Sequence, residues 1–200
     1  KVDLLSEKVR AVLLRLLRKT HYVSDLQGLF RGADGLEMEY YEAEAALTAT
    51  LPAVRVGMTE LEVAGRLEHE LRNAGSEGFA FETIIAAGAR SALPHARASR
   101  QPIAKGDLLL FDFGAIHAGY VSDITRTFVV GAPPAERQRE IHTAVREANG
   151  SASALVRAGM RGRDADALAR DYLDRLGFGA AFGHSLGHGI GLEIHEAPRL

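Results

Sequence analysis

The sequence predicts an α+β domain, and three observations carry that prediction. Apolar residues recur at helical spacing in several separate runs. Two neighbouring segments, Leu108 to Gly114 and Tyr120 to Val130, are rich in the β-branched and aromatic residues that strands prefer. Helical and strand-like runs are grouped and do not alternate, which favours mostly antiparallel strands with flanking helices over a parallel βαβ sheet.

Taken in order, Leu5, Val9, Val12, Leu13, Leu16 and Leu17 define an amphipathic helix over residues 4–19. Residues 20–36, with Gly28, Gly32 and Gly35, read as an irregular connection. A second helix is expected from about Glu37 to Leu51, stopped by Pro52, which has no amide proton and restricts its predecessor. Thr59 with Glu62 forms a capping box that opens a helix carrying Leu61, Ala64, Leu67 and Leu71 and ending near Gly75. Phe81 to Ala87 reads as a short strand, followed by a loop through Pro94-His95. The two paired strands come next and close at Gly131-Ala-Pro-Pro. Further helices are expected over about Ala135–Arg157 and Arg163–Leu176, and the chain from Phe178 is rich in glycine.

Composition narrows the functional classes. With 46% hydrophobic and 25% charged residues the chain is an ordinary globular sequence able to bury a sizeable core. A formal net charge of −2 gives no electrostatic footing for nucleic acid or an anionic membrane. No apolar run approaches the roughly 18 residues of a membrane span. The absence of cysteine excludes disulfides and thiolate metal ligands, and a cytoplasmic location is the default expectation.

The chemistry concentrates in two places. The first is the hairpin Asp112-Phe-Gly-Ala-Ile-His-Ala-Gly-Tyr-Val-Ser-Asp123. A two-residue loop at His117-Ala118 would pair Ile116 with Gly119 and set Asp112 opposite Asp123, with side chains about 5 Å apart on one face. Like charges so placed repel, and Arg126 is the only nearby cation in sequence. A bound divalent ion would relieve the repulsion, since hard cations take carboxylate oxygens. One protonated Asp, or a loop of different length, would relieve it equally.

The second is His184-Ser-Leu-Gly-His188-Gly-Ile-Gly-Leu-Glu-Ile-His195-Glu196. His184 and His188 have the i, i+4 spacing of a helical zinc pair, but Gly183, Gly187, Gly189 and Gly191 disfavour a helix. An extended, kinked segment is expected, with glycines letting the backbone approach a ligand or metal closely. A histidine cluster in such a run reads as a site. Arg126 and Glu82 are candidate outer partners of that site or structural ion pairs, and His117 reads as a turn residue.

Together, Ser91-Ala-Leu-Pro-His95, Gly106 to Gly114, Gly119 to Phe128 and His184 to Glu196 resemble the pita-bread metallopeptidases, the family of methionine aminopeptidase, aminopeptidase P and prolidase. The likeness covers roughly residues 40–200 in the expected order. It implies a pita-bread (creatinase/aminopeptidase-like) catalytic domain over 37–200, a mostly antiparallel curved sheet with flanking helices. Residues 1–36 would be a remnant of an N-terminal lobe or a short arm.

The resemblance also implies two divalent metal ions, with Asp112, Asp123 and His188 as ligands and Asp123 bridging. Mn2+ suits the oxygen-rich shell best, with Co2+, Zn2+ or Fe2+ as alternatives. His95 matches a histidine that contacts substrate, and His195 matches one that stabilises the tetrahedral intermediate. His184 resembles the proline-specific branch. The implied function is therefore hydrolysis of the N-terminal residue from peptides with proline second, as an Xaa-Pro aminopeptidase or dipeptidase using a metal-activated water. A methionine aminopeptidase-like enzyme and an inactive peptide-binding member of the fold are the alternatives. A peptide substrate and a homodimer are the implied partners, with neither nucleic acid nor membrane.

Family members continue beyond the segment matching His195-Glu196-Ala-Pro198 and supply two glutamate ligands, one of them also the general base. Neither position occurs before Leu200, and the closing strands of the sheet would follow as well. The resemblance thus leads us to expect an incomplete C-terminal part and a longer protein.

Overall fold

The computed structural model describes residues 38–200; the helix expected over 4–19 and the connection over 20–36 lie outside the described residues. Helix α1 spans Met38–Thr50 and tightens into a 3₁₀ turn at Leu51–Ala53, so that Pro52 sits in the terminal turn. Helix α2 spans Glu60–Ala74. Its predicted capping box is present: the Glu62 amide donates to Thr59 Oγ1 at 3.2 Å, and the Thr59 amide donates to the Glu62 carboxylate at 2.6 Å. Gly75, at φ 114°, ends the helix in the left-handed conformation that glycine tolerates. The buried stripe is Val63, Leu67 and Leu71 with Ala64, while Leu61 faces outward, because the i, i+4 series runs through Val63.

Strands β1 (Ile84–Ala87), β2 (Leu108–Phe113), β3 (Ile116–His117), β4 (Tyr120–Val121) and β5 (Ile124–Val129) follow. They form an antiparallel sheet in the order β1-β2-β5, with β3 and β4 as a hairpin beyond it. Helices α3 (Glu136–Leu155) and α4 (Gly162–Arg175) pack together. Short strands β6 (His188–Gly189) and β7 (Glu196–Arg199) pair at the end.

The hairpin register differs from expectation by one residue at the turn. Ala118 and Gly119 form the two-residue loop, at φ 50° and 81°, so His117 pairs with Tyr120 and Ile116 with Val121. Positive φ at both central positions suits a tight hairpin, and placing Gly119 there is what moves the turn. Asp112 accordingly faces Thr125 and not Asp123. The two aspartates become diagonal neighbours, typically about 7–8 Å apart in such a ladder. The shift moves each partner by two residues, so the side-chain alternation of period two keeps both on the same side.

That alternation also sorts the sheet. Ile85, Leu109, Phe111, Phe113 and Ile124 are almost wholly buried against Ala43, Leu47, Val63, Leu67 and Leu71 of α1 and α2. Each such side chain contributes about 1.5–3 kcal/mol of burial. The opposite face carries Ile84, Ala86 and Leu110 beneath Ala96 of the His95 loop. A further core joins α3 and α4, through Val145, Ala148 and Leu173, to Phe178, Phe182 and Leu186 of the glycine-rich segment. Arg126 is on the α1 side, where it pairs with Glu44 and leaves the aspartates to the other face. His117 is more than a turn residue, since its Nδ1 donates to the buried Glu42 carboxylate at 2.7 Å.

Gly114 and Gly65 give a paired test of opposite sign. A Cβ on Gly114 would lie 1.8 Å from the Ser122 carbonyl oxygen across the hairpin. Gly114→Ala should therefore destabilise by about 1–3 kcal/mol, as overpacking does. Gly65, inside α2, has nothing within 4 Å of the place a methyl group would take, and Gly65→Ala should stabilise by about 0.5–1 kcal/mol. Urea unfolding midpoints of the two variants read both; equal shifts would contradict the hairpin register.

Candidate metal centre

A cavity of about 270 Å3 opens on the sheet face away from α1 and α2, and Asp112, Asp123, His95 and His195 all line it. Four separate stretches of chain meet there. Asp112 comes from β2, Asp123 from the turn into β5, His95 from the loop after β1, and His195 from the segment between β6 and β7. Phe81, Ile84, Pro94 and Ile194 supply apolar wall, and Glu82 and Arg97, paired at 3.1 Å, stand exposed at its edge.

Asp112 is 6% exposed and accepts a hydrogen bond from Thr125 Oγ1 at 3.0 Å. Sequence reasoning misses Thr125, although its even spacing from Asp123 places it on the same face. His188 approaches the Asp123 carboxylate. Its Nε2 lies 3.7 Å from Asp123 Oδ2, and both side chains are about nine-tenths buried, at 12% and 9% exposure. Its Nδ1 lies 2.9 Å from the Gly189 carbonyl oxygen. A carbonyl only accepts, so Nδ1 carries a proton, and Nε2 faces the Asp123 carboxylate, with a lone pair when the ring is neutral and a proton when it is charged. The neutral ring and the carboxylate together suit a shared cation. The His195 ring packs against His188 with centroids 4.3 Å apart.

His184 lies four residues back on the same segment and does not line this cavity; its ring centroid is 6.0 Å from that of Phe182. Its backbone is held by Arg170 of α4, which donates to the His184 carbonyl at 2.7 Å and to the Phe182 carbonyl at 2.7 Å. Asp166 grips the same guanidinium at 2.6 and 2.8 Å and holds its pKa above the usual arginine value. In the sequence Asp166 and Arg170 resemble any i, i+4 surface pair, so this bracket has no separate signal.

Glycine admits close approach of backbone to backbone in this segment. A Cβ on Gly189 would lie 2.2 Å from the Ala197 carbonyl oxygen, so β6 and β7 approach only because that residue is glycine. The Val121 amide donates to the Gly191 carbonyl at 2.9 Å, fastening the histidine segment to the hairpin that carries Asp123.

The residues brought together are thus Asp112, Asp123, His188, His95 and His195. Among the described residues, no three His, Asp or Glu side chains gather closely enough to enclose a metal ion. The donor types nonetheless match a divalent cation: two carboxylates, one of them hydrogen-bonded from Thr125, and one imidazole with Nε2 toward Asp123.

Known proteins resemble this chain in sequence and fold. The model of metallopeptidase family M24 matches residues 42–200. The chain is 48% identical over 158 residues to the Xaa-Pro dipeptidase of Pyrococcus furiosus, covering 79% of this chain and 45% of that protein. The structure superposes on an X-Pro aminopeptidase from Thermotoga maritima with a TM-score of 0.79 at 44% identity, over 82% of this chain and 46% of that one. It superposes on the prolidase from Pyrococcus furiosus with a TM-score of 0.78 at 43% identity, over 92% of this chain and 51% of that one. The chain spans about half the length of these relatives. Its fold is the pita-bread fold of these peptidases. With the match running through the hairpin and the histidine segment alike, the chain belongs to metallopeptidase family M24.

Proposed function

We propose that the protein containing this chain hydrolyses the bond between an N-terminal residue and proline, as an Xaa-Pro dipeptidase or aminopeptidase. The observation that carries the reading is the shared cavity wall of Asp112 and Asp123, with Nε2 of His188 3.7 Å from Asp123 Oδ2. The names of the similar proteins favour proline over methionine as the recognised residue.

Asp112, Asp123 and His188 would hold the divalent ions, with Asp123 between them. When bound, two such ions lower the pKa of a shared water and polarise the scissile carbonyl. The chain's own residues do the rest. Thr125 orients the Asp112 carboxylate, and the Gly189 carbonyl fixes the His188 tautomer. His195 would donate a hydrogen bond to the oxyanion that develops on the substrate. His95, from another stretch of the cavity wall, would contact the peptide near the scissile bond. Phe81, Ile84, Pro94 and Ile194 offer an apolar surface of the kind a proline ring needs, and the volume suits one or two residues.

Three donors do not fill the coordination of two ions. The family resemblance assigns the balance to two glutamates in chain following Glu196, and an intact mass above 21.5 kDa for the native protein would provide room for them. Mn2+, a homodimer and a cytoplasmic setting are the finer terms of the same proposal. Among the described residues no helix is long and apolar enough to cross a membrane.

Two substitutions test the assignment in the full-length protein. Asp123→Asn should remove divalent-metal binding in calorimetric titration and lower Xaa-Pro hydrolysis at least about 100-fold, as loss of a shared ligand does. Undiminished binding of Mn2+ would sink Asp123 as ligand. His184→Ala should reduce Xaa-Pro turnover by about 10-fold or more while leaving metal stoichiometry intact. Loss of a metal in that variant would make His184 a ligand in place of His188.

A further inference from the structure

Glu60 is a carboxylate with no exposed surface, at the first turn of α2 and outside the candidate metal centre. A buried carboxylate is costly unless its oxygens are fully occupied. Those of Glu60 are occupied by one loop. Oε1 accepts from the Ala87 amide at 2.8 Å and from Arg90 Nε at 3.0 Å. Oε2 accepts from Arg90 Nε at 3.0 Å, from the Ser99 amide at 3.0 Å and from Ser99 Oγ at 2.6 Å. Ala87 ends β1 and Ser99 lies twelve residues later, so one carboxylate holds both ends of the intervening stretch. Arg90 extends the grip inward, donating from Nη2 to the Arg97 carbonyl at 2.6 Å. Between these anchors lie Pro94, His95 and Arg97, three residues of the cavity wall.

A mere helix cap would not need this arrangement. The cap of α2 is already made by Thr59 and Glu62. The chain from Gly88 to Ser99 has a single short 3₁₀ turn, Gly88–Ala92, and its core-buried apolar side chains are the small ones of Ala92 and Ala96. We propose that Glu60 is the positioning residue of this site, clasping the loop of residues 88–99 so that His95 is presented to the substrate. The inference rests on the peptidase reading and on the role given there to His95. Glu60 touches no substrate and acts through His95 and its loop.

Glu60→Gln tests this, because its amide nitrogen replaces one carboxylate oxygen and, at unchanged volume, brings a donor against either the Ala87 or the Ser99 donors. Hydrogen exchange in the full-length protein is the first readout. At least one of the Ala87 and Ser99 amides should lose protection about tenfold or more while amides of β2 and β5 keep theirs. Retained protection at both amides, or loss spread over the whole sheet, overturns the clasp. The second readout is a double-mutant cycle with His95→Ala on an Xaa-Pro dipeptide. Glu60→Gln alone should lower kcat about 10- to 100-fold, the scale of a misplaced group. In the His95→Ala background it should have little further effect, since the group it positions is gone. Equal losses in both backgrounds would make Glu60 a general stability residue and overturn the proposal. Should Glu60→Gln fail to fold, Ser99→Ala removes one hydroxyl of the clasp and is carried through the same cycle, with the same outcomes deciding. If the wild-type protein hydrolyses no Xaa-Pro peptide, the peptidase reading fails, and the exchange data still decide whether Glu60 holds the loop.

Discussion

The pairing of β2 with β5 decides what this chain can do. With Asp112 opposite Thr125 and Phe111 opposite Arg126, alternate residues of both strands go to opposite faces. One face takes Phe111, Phe113, Leu109 and Ile124 into the core with α1 and α2. The other keeps Asp112, Thr125 and, one step along, Asp123 for the cavity. A slip of one residue would bury carboxylates against Leu67 and Leu71 and expose phenylalanines, so the hydrophobic set enforces the register. The chemistry is therefore fixed by residues that take no part in it.

Keeping two carboxylates largely desolvated on such a sheet needs compensation. Asp112 has Thr125, and Asp123 has the imidazole of His188 close by, but the sheet's own arginine is engaged elsewhere, by Glu44. A cation beside Asp123 and a neutral His188 would compensate the pair, and a proton on the His188 Nε2 would compensate Asp123 alone. Glu60 shows the contrasting solution in the same molecule. Its carboxylate is more deeply buried, yet backbone amides, a hydroxyl and a guanidinium surround it, and its surroundings make no demand for a metal.

How far the sequence discloses this depends on the range of each interaction. The capping box at Thr59-Glu62, the strand at Leu108 to Phe113 and the helices after Gly131 are local, and the structure has them within a few residues of expectation. The turn is displaced by one position because the conformational demand on Gly119 outweighs a count from His117, and the facing of Asp112 changes with it. Leu61 faces outward for a similar reason, since Val63 claims the stripe. What is illegible is long in range. Glu60 reads as one more acidic residue in a helix's first turn, and nothing near it in sequence announces Ser99 thirty-nine positions away. Arg170 with Asp166 likewise reads as a surface pair, although its second function is to hold two carbonyls of the histidine segment.

Those long-range contacts share a pattern. The strands bring Asp112 and Asp123 to the cavity rigidly, whereas His95, His184, His188 and His195 all arrive on segments with little regular structure. Each irregular segment is tied down by groups from a neighbouring element. Glu60 on α2 holds the His95 loop, Arg170 on α4 holds the backbone at His184, and the Val121 amide of the hairpin holds Gly191 between His188 and His195. Catalytic groups need placement to a fraction of an ångström, which loops alone do not supply. Helices and strands that contribute no reacting atom supply it here through hydrogen bonds to loop backbone. Such bonds fix where a side chain starts without restricting which side chain it is.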